Sequence, residues 1–339
     1  MNKALFLLSC LVFIVLYSPV KAQSNYKTGN SIHLEGDGGW DYLKVDEVNS
    51  RLYVSHGMIA NVVDLKTGKS AGTIADTKGI HGIAIANDLN KGYTSNGRDS
   101  TVTVFDLKTL EVMTIIHKTG KNPDAIIYDA FSRKVFTFNG GSANSTVIDA
   151  TTDKIIGTIS LGGKPEFPQV DGKGKLYVNI EDNSTISVIN TITMKVERSW
   201  PIAPGEEASG LALDNQNQLL FSVCSNKLMV VSDIAAGKVI ASLPIGSGCD
   251  GAAFDAKYKR VYASNGEGTM TVVQEENAKT FKVLETVKTN QGARTITLDN
   301  TTHHLYLSTA EYEPAAPGST GRPKVKPGSF MVLDIETIK

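Results

Sequence analysis

The sequence predicts an all-β fold: a seven-bladed β-propeller of four-stranded antiparallel blades. Three observations carry this. An apolar run ends at Asp46, Ala86, Asp129, Asp171, Asp214, Asp255 and Asp299, with gaps of 40 to 44 residues, the length of one four-stranded blade. About seven residues after each of these positions stands an aromatic, in turn Tyr53, Tyr93, Phe136, Tyr177, Phe221, Tyr262 and Tyr306. No segment carries the apolar spacing of an amphipathic helix, which excludes an α/β reading.

The elements follow in order. Met1–Lys3 is a positive start, Ala4–Tyr17 is almost wholly apolar, and Val20–Ala22 offers small residues for cleavage. Residues 1–22 therefore read as a cleaved secretory signal peptide, too short for a lasting span, and the chain is expected in the periplasm or secreted. Residues 23–339 read as one propeller domain. "SIHLEG" (Ser31–Gly36) is a spare strand ahead of the first copy. In that copy "LKV", "LYVSH", "ANVVDL" and "KSAGTI" are the four strands, rich in β-branched and aromatic residues, and the turns between them carry Asp, Asn, Lys and Gly. The last copy ends at "SFMVLDIETIK" without a fourth strand. The spare strand is expected to complete that blade and remove the open edge. One blade cannot bury both of its faces, so the repeated aromatic reads as core between stacked blades.

Removing the leader leaves 32 basic against 35 acidic side chains, a net charge of about −3. No global field attracts nucleic acid or an anionic membrane. No G-x-S-x-G, H-E-x-x-H or zinc-type cysteine pair occurs, and "DGKGK" at Asp171 lacks the spacing of a phosphate loop.

The copies differ in a patterned way. Five residues before each alignment position stand Asp41, His81, Asp124, Glu166, Ser209, Asp250 and Arg294. All are polar and most are ionisable, where a blade enters beside the central channel. The ends of the second strands add His56, Asn96, Asn139, Asn265 and Thr309, with Glu181 nearby in the fourth copy and Trp40 and Phe167 as flat apolar surfaces. Acids, histidines and an arginine in one concavity suit a small molecule, glycan, metal or protein partner. Asp41, Asp124, Glu166 and Asp250 are the candidate ligands for a divalent cation, Ca²⁺, Mg²⁺ or Mn²⁺. A proline-rich insertion in the last copy, Pro314–Gly328, carries Arg322, Lys324 and Lys326 and reads either as a lid whose charge faces the acids or as a tolerated surface loop. Cys224 and Cys249 fall on one rim of neighbouring blades, which leaves a disulfide, two buried thiols, or a soft metal site as readings. His303 and His304 fall in a turn of the opposite rim and read as solvated.

"YVSHG", "YTSNG" and "YASNG", followed by "VVDLKTG" and "FDLKT", resemble the YVTN repeat of the YncE-like family of exported bacterial seven-bladed propellers. The resemblance covers nearly the whole chain after the leader. It implies a binding role outside the cytoplasm. Some members bind single-stranded DNA, a use that the acidic ring of this chain argues against. Two functions of different class follow. One is a monomeric, non-catalytic binding module. The other is a metal-dependent lactonase or lyase, by analogy of fold. In that case His81 or His56 is the general base and Arg294 holds a substrate carboxylate or enolate. A scaffold that uses its outer blade edges is a third.

Overall fold

The computed structural model describes residues 24–314 and 323–338. The expected leader and residues 315–322 of the insertion lie outside them. Six antiparallel sheets of four strands are each built from consecutive segments, beginning with Trp40–Asp46, Arg51–His56, Ile59–Asp64 and Lys69–Ile74. The seventh sheet joins Ile296–Leu298, Leu305–Thr309 and Met331–Thr337 to the N-terminal pieces Tyr26–Thr28 and Ile32–His33, both of which pair with Met331–Thr337. The expected closing strand is thus present, in two pieces. Tyr26 also meets the sixth blade, its ring edge-on to Tyr262 with centroids 5.8 Å apart. Closure therefore uses packing as well as the ladder.

The repeat has a local cause at each position. The aspartate that ends an inner strand accepts hydrogen bonds from the backbone N–H groups of the turn that follows. Asp255 takes Lys257 and Tyr258, and Asp299 takes Thr301 and Thr302. A short carboxylate of this kind fixes a tight turn. The seven repeated aromatics are all buried, and each of the seven blade interfaces has its own apolar cluster. Between the first two blades, for example, Tyr53 and Ile74 meet Ile83 and Phe105. Stability therefore resides between neighbouring blades rather than in one centre. Among the described residues no helix is long and apolar enough to cross a membrane.

Candidate functional site

Six of the seven inner strands begin with a ladder pair, after which the register slips before the regular pairing resumes. The slip lies between Trp40 and Leu43, Ile80 and Ile83, Pro123 and Ile126, Pro165 and Pro168, Ala208 and Leu211, and Cys249 and Gly251. A bulge frees the second residue of the strand from the ladder and re-aims its side chain. The freed residues are Asp41, His81, Asp124, Glu166, Ser209 and Asp250, and Arg294 precedes the shorter seventh inner strand. The ring expected from the sequence is thus a ring of bulges.

These side chains meet in a chain of charge. His81 Nδ1 lies 2.6 Å from Asp41 Oδ2 and 3.7 Å from Asp124 Oδ1. Arg294 Nε donates to Asp250 at 2.7 Å, and its Nη2 stands 3.5 Å from Asp41 Oδ1. On the fourth blade, Lys164 Nζ is 2.8 Å from Glu166 and also pairs with Glu181. Ser209 instead donates to the carbonyl of Cys249. Glycines make the approach possible: a Cβ on Gly97 would lie 2.7 Å from His81 Nε2, and one on Gly82 would lie 2.9 Å from the Asp124 carbonyl.

Five carboxylates, Asp41, Asp124, Glu166, Glu181 and Asp250, share Lys164, Arg294 and His81, and the excess of negative charge is mostly buried. Burial, with Asp41 nearby, pushes Asp124 up to about 7. Burial and Asp124 push Glu166 up to about 8, even with Lys164 against it. Burial and Asp41 also raise Asp250. Burial alone would lower His81, but its bond to Asp41 and the charge of Asp124 leave it raised. Asp124 Oδ1 is buried with no hydrogen-bond partner.

A cleft of about 410 Å³ opens onto this cluster, lined by Trp40, Asp41, His81, Arg98, Asn122 and Arg294 among glycines. Next to Asp41 in the same strand, the Tyr42 ring lies 5.3 Å from that of Phe167. Burial and the charges of Asp124 and Glu166 push the Tyr42 phenol well above its ordinary range. Lys164, Tyr42, Arg98 and Asn122 were not legible as site residues. Tyr42 reads as strand core, and the other three stand outside the repeating register.

Several expected residues are placed elsewhere. Asn96, Asn139 and Asn265 are fully buried. Their Nδ2 groups donate to hydroxyls of the adjoining third strand, Thr101 and Thr103, Thr146, and Thr269 and Thr271 respectively. They clamp blades and do not face the cleft. His56 is buried and stacked on Phe330 with centroids 3.9 Å apart, its Nδ1 3.3 Å from the Glu35 carbonyl. It is therefore not positioned as a base in the cleft. Trp40 packs on Phe330 and Tyr312 and supplies wall rather than an open stacking face. The four-carboxylate cation set is not assembled. Asp41 and Asp124 converge with His81, all their ligand atoms within 4.8 Å of one another, whereas Glu166 and Asp250 are engaged by Lys164 and Arg294. Lys324 and Lys326 of the insertion pair with Glu313 and Glu311 of their own loop rather than with the ring acids, and Arg322 lies outside the described residues. Cys224 and Cys249 are both buried and free, packed in different interface clusters, so the structure forms no bridge between them. His303 and His304 are not simply solvated, since their Nδ1 atoms meet Asp255 at 2.8 Å and Asp334 at 2.7 Å.

No protein-family model and no curated protein sequence matches the chain. Solved structures do match it in fold. A chain of Kuenenia stuttgartiensis hydrazine synthase aligns at 18% identity and a TM-score of 0.69, over 81% of this chain and 94% of that one. U3-55K aligns at 8% identity and 0.73, over 91% and 98%. The WD40 repeats of RRP9 align at 8% and 0.74, over 92% and 97%. At these identities the likeness is one of architecture, and it makes this chain a seven-bladed β-propeller.

Proposed function

We propose that this protein is an exported binding protein of the YncE-like type whose central cleft holds a divalent cation on Asp41, His81 and Asp124. The observation that carries the reading is the position of Asp124. It is a buried carboxylate with one oxygen lacking a partner, 3.7 Å from an imidazole that already bonds a second carboxylate. A buried carboxylate without compensation is costly. A cation at this point compensates both acids and takes the imidazole as a third ligand. One nitrogen with two carboxylate oxygens suits Mn²⁺ better than Ca²⁺ or Mg²⁺, which prefer oxygen alone. Three protein ligands leave coordination positions toward the cleft, where a small anionic or hydroxylated ligand meets Arg294. The repeated "YVSHG", "YTSNG" and "YASNG" and the apolar leader support the family and the location outside the cytoplasm.

The same open positions favour a second reading, a metal-dependent lactonase or lyase in which Arg294 steadies developing negative charge. Melting temperature in EDTA, and then with Mn²⁺, Zn²⁺, Ca²⁺ or Mg²⁺ added singly, tests the cation. An ion that binds only the native state stabilises it by about 2.7 kcal/mol at a hundredfold excess over its dissociation constant. A shift with Mn²⁺ that His81→Ala removes supports the site. No shift with any ion sinks it. Turnover of lactone or uronide substrates by the ion-loaded protein would then separate the enzyme from the binding module.

A further inference from the structure

A second chamber, of about 310 Å³, is lined by residues of all seven inner strands, Tyr42 and Phe167 among them. Its lining side chains are mostly apolar, where those of the cleft carry charge. Two residues before each alignment position the inner strands carry Lys44, Ala84, Ile127, Gln169, Ala212, Ala253 and Thr297, and all seven line this chamber. Ile83, Ile85, Ile126, Phe254 and Leu298 complete much of the wall. Lys44 is the one charged residue among those lining it.

Lys44 is open to solvent, but the solvent is that of the channel. Burial by the channel wall lowers its pKa, against the opposing pull of Glu47 and Asp46. Neither acid is free to serve as its partner. Glu47 accepts from the backbone and side chain of Asn300 at 3.1 and 2.6 Å, and Asp46 accepts from Asn49 and Asn87. Among the described residues no hydrogen bond or ion pair holds the Lys44 ammonium.

We propose that this chamber binds a small amphiphilic monocarboxylate, its carboxylate on Lys44 and its hydrocarbon against the apolar wall. A half-open volume of this size, its lining residues mostly apolar with one charged side chain, has the general form of a small-molecule pocket. A lone ammonium in such a pocket selects a single negative charge. The inference stands apart from the cation site, since none of Asp41, His81 and Asp124 lines this chamber.

Titration calorimetry of the protein with octanoate, and separately with octanol, tests it. Octanoate is expected to bind one to one. Lys44→Met, which keeps the stem and removes the charge, is expected to weaken it at least tenfold. Lys44→Arg should retain binding, Asp124→Asn should leave it unchanged, and octanol should not distinguish wild type from Lys44→Met. Equal affinity of wild type and Lys44→Met for octanoate, or no binding of octanoate to wild type at millimolar concentration, overturns the proposal. Loss of octanoate binding in Asp124→Asn also overturns it, because the ligand would then sit in the cleft.

Discussion

His81 Nδ1 and Asp41 Oδ2 meet at 2.6 Å across the boundary between the first and second blades. The bond orients the imidazole and stabilises its protonated form, and it brings that ring within reach of Asp124 on the third blade. Three blades thus contribute one side chain each to a single point, which no blade could assemble alone.

The cluster makes stability depend on pH. Asp124 titrates at about 7 in the folded protein against about 3.9 in an unfolded chain, so the native state holds the proton more tightly. Its contribution is full below about pH 4 and is lost as pH rises toward 7. His81, also raised, adds stability below its unfolded value that disappears above its folded one, which is the same direction. In EDTA the protein is expected to lose stability between about pH 4 and pH 8. Asp124→Asn should gain on the order of 1–2 kcal/mol over wild type at pH 8 and little at pH 4. Urea unfolding at the two pH values checks this, and an Asn variant that is less stable at pH 8 contradicts it.

Lys164 is the positive group that permits Glu166 to be buried, at 2.8 Å. Replacing it with Met removes the partner. Because Lys164 is itself 41% exposed, the loss is expected at about 1–3 kcal/mol, below that for a fully buried pair. Glu166 titrates at about 8, so the penalty should be larger at pH 9, where it ionises, than at pH 6. A penalty independent of pH would remove the ion pair from the account.

Asn139→Ala should unfold more easily and still bind. Its Nδ2 donates to Asn144 at 2.8 Å and Thr146 at 3.0 Å, so truncation leaves buried acceptors unpaired at a cost of about 1–3 kcal/mol. Mn²⁺ affinity of the folded variant is expected to match wild type. A selective loss of affinity would return Asn139 to the site.

Cys224 and Cys249 are free, and burial pushes the Cys224 thiol up to about 12 and Cys249 well above its ordinary range. Such thiols are inert. In protein prepared without residues 1–22, and so without Cys10, a thiol-specific disulfide reagent should find none in the native state and two per chain after denaturation without reductant. A melting temperature lowered by reductant would instead demand a bridge.

The architecture was legible because the repeat is a repeat of turns and cores. Aspartates cap turns, aromatics fill interfaces, and both recur at fixed spacing. The ring of Asp41, His81, Asp124, Glu166 and Asp250 was legible for the same reason, since one bulge per blade keeps it in register. What register cannot give is the direction of a side chain. Asn96 and Asn139 stand at the same rim as His81, yet they turn into the third strand of their own blade. Lys164 stands two residues outside the ring position and turns into the cluster. Which acids remain beside His81 depends on where the cations turn: Lys164 takes Glu166, and Arg294 holds Asp250 more closely than Asp41. Lys164 and Arg294 decide that in three dimensions only.

The most direct test of the central claim is an electron paramagnetic resonance titration of Mn²⁺ into EDTA-stripped wild type and Asp124→Asn. One Mn²⁺ per chain is expected in wild type, with at least tenfold weaker binding in the variant, which keeps the shape of the side chain and removes its charge. Free-ion signal throughout the wild-type titration, or equal binding by the two proteins, would contradict a cation held between Asp41, His81 and Asp124.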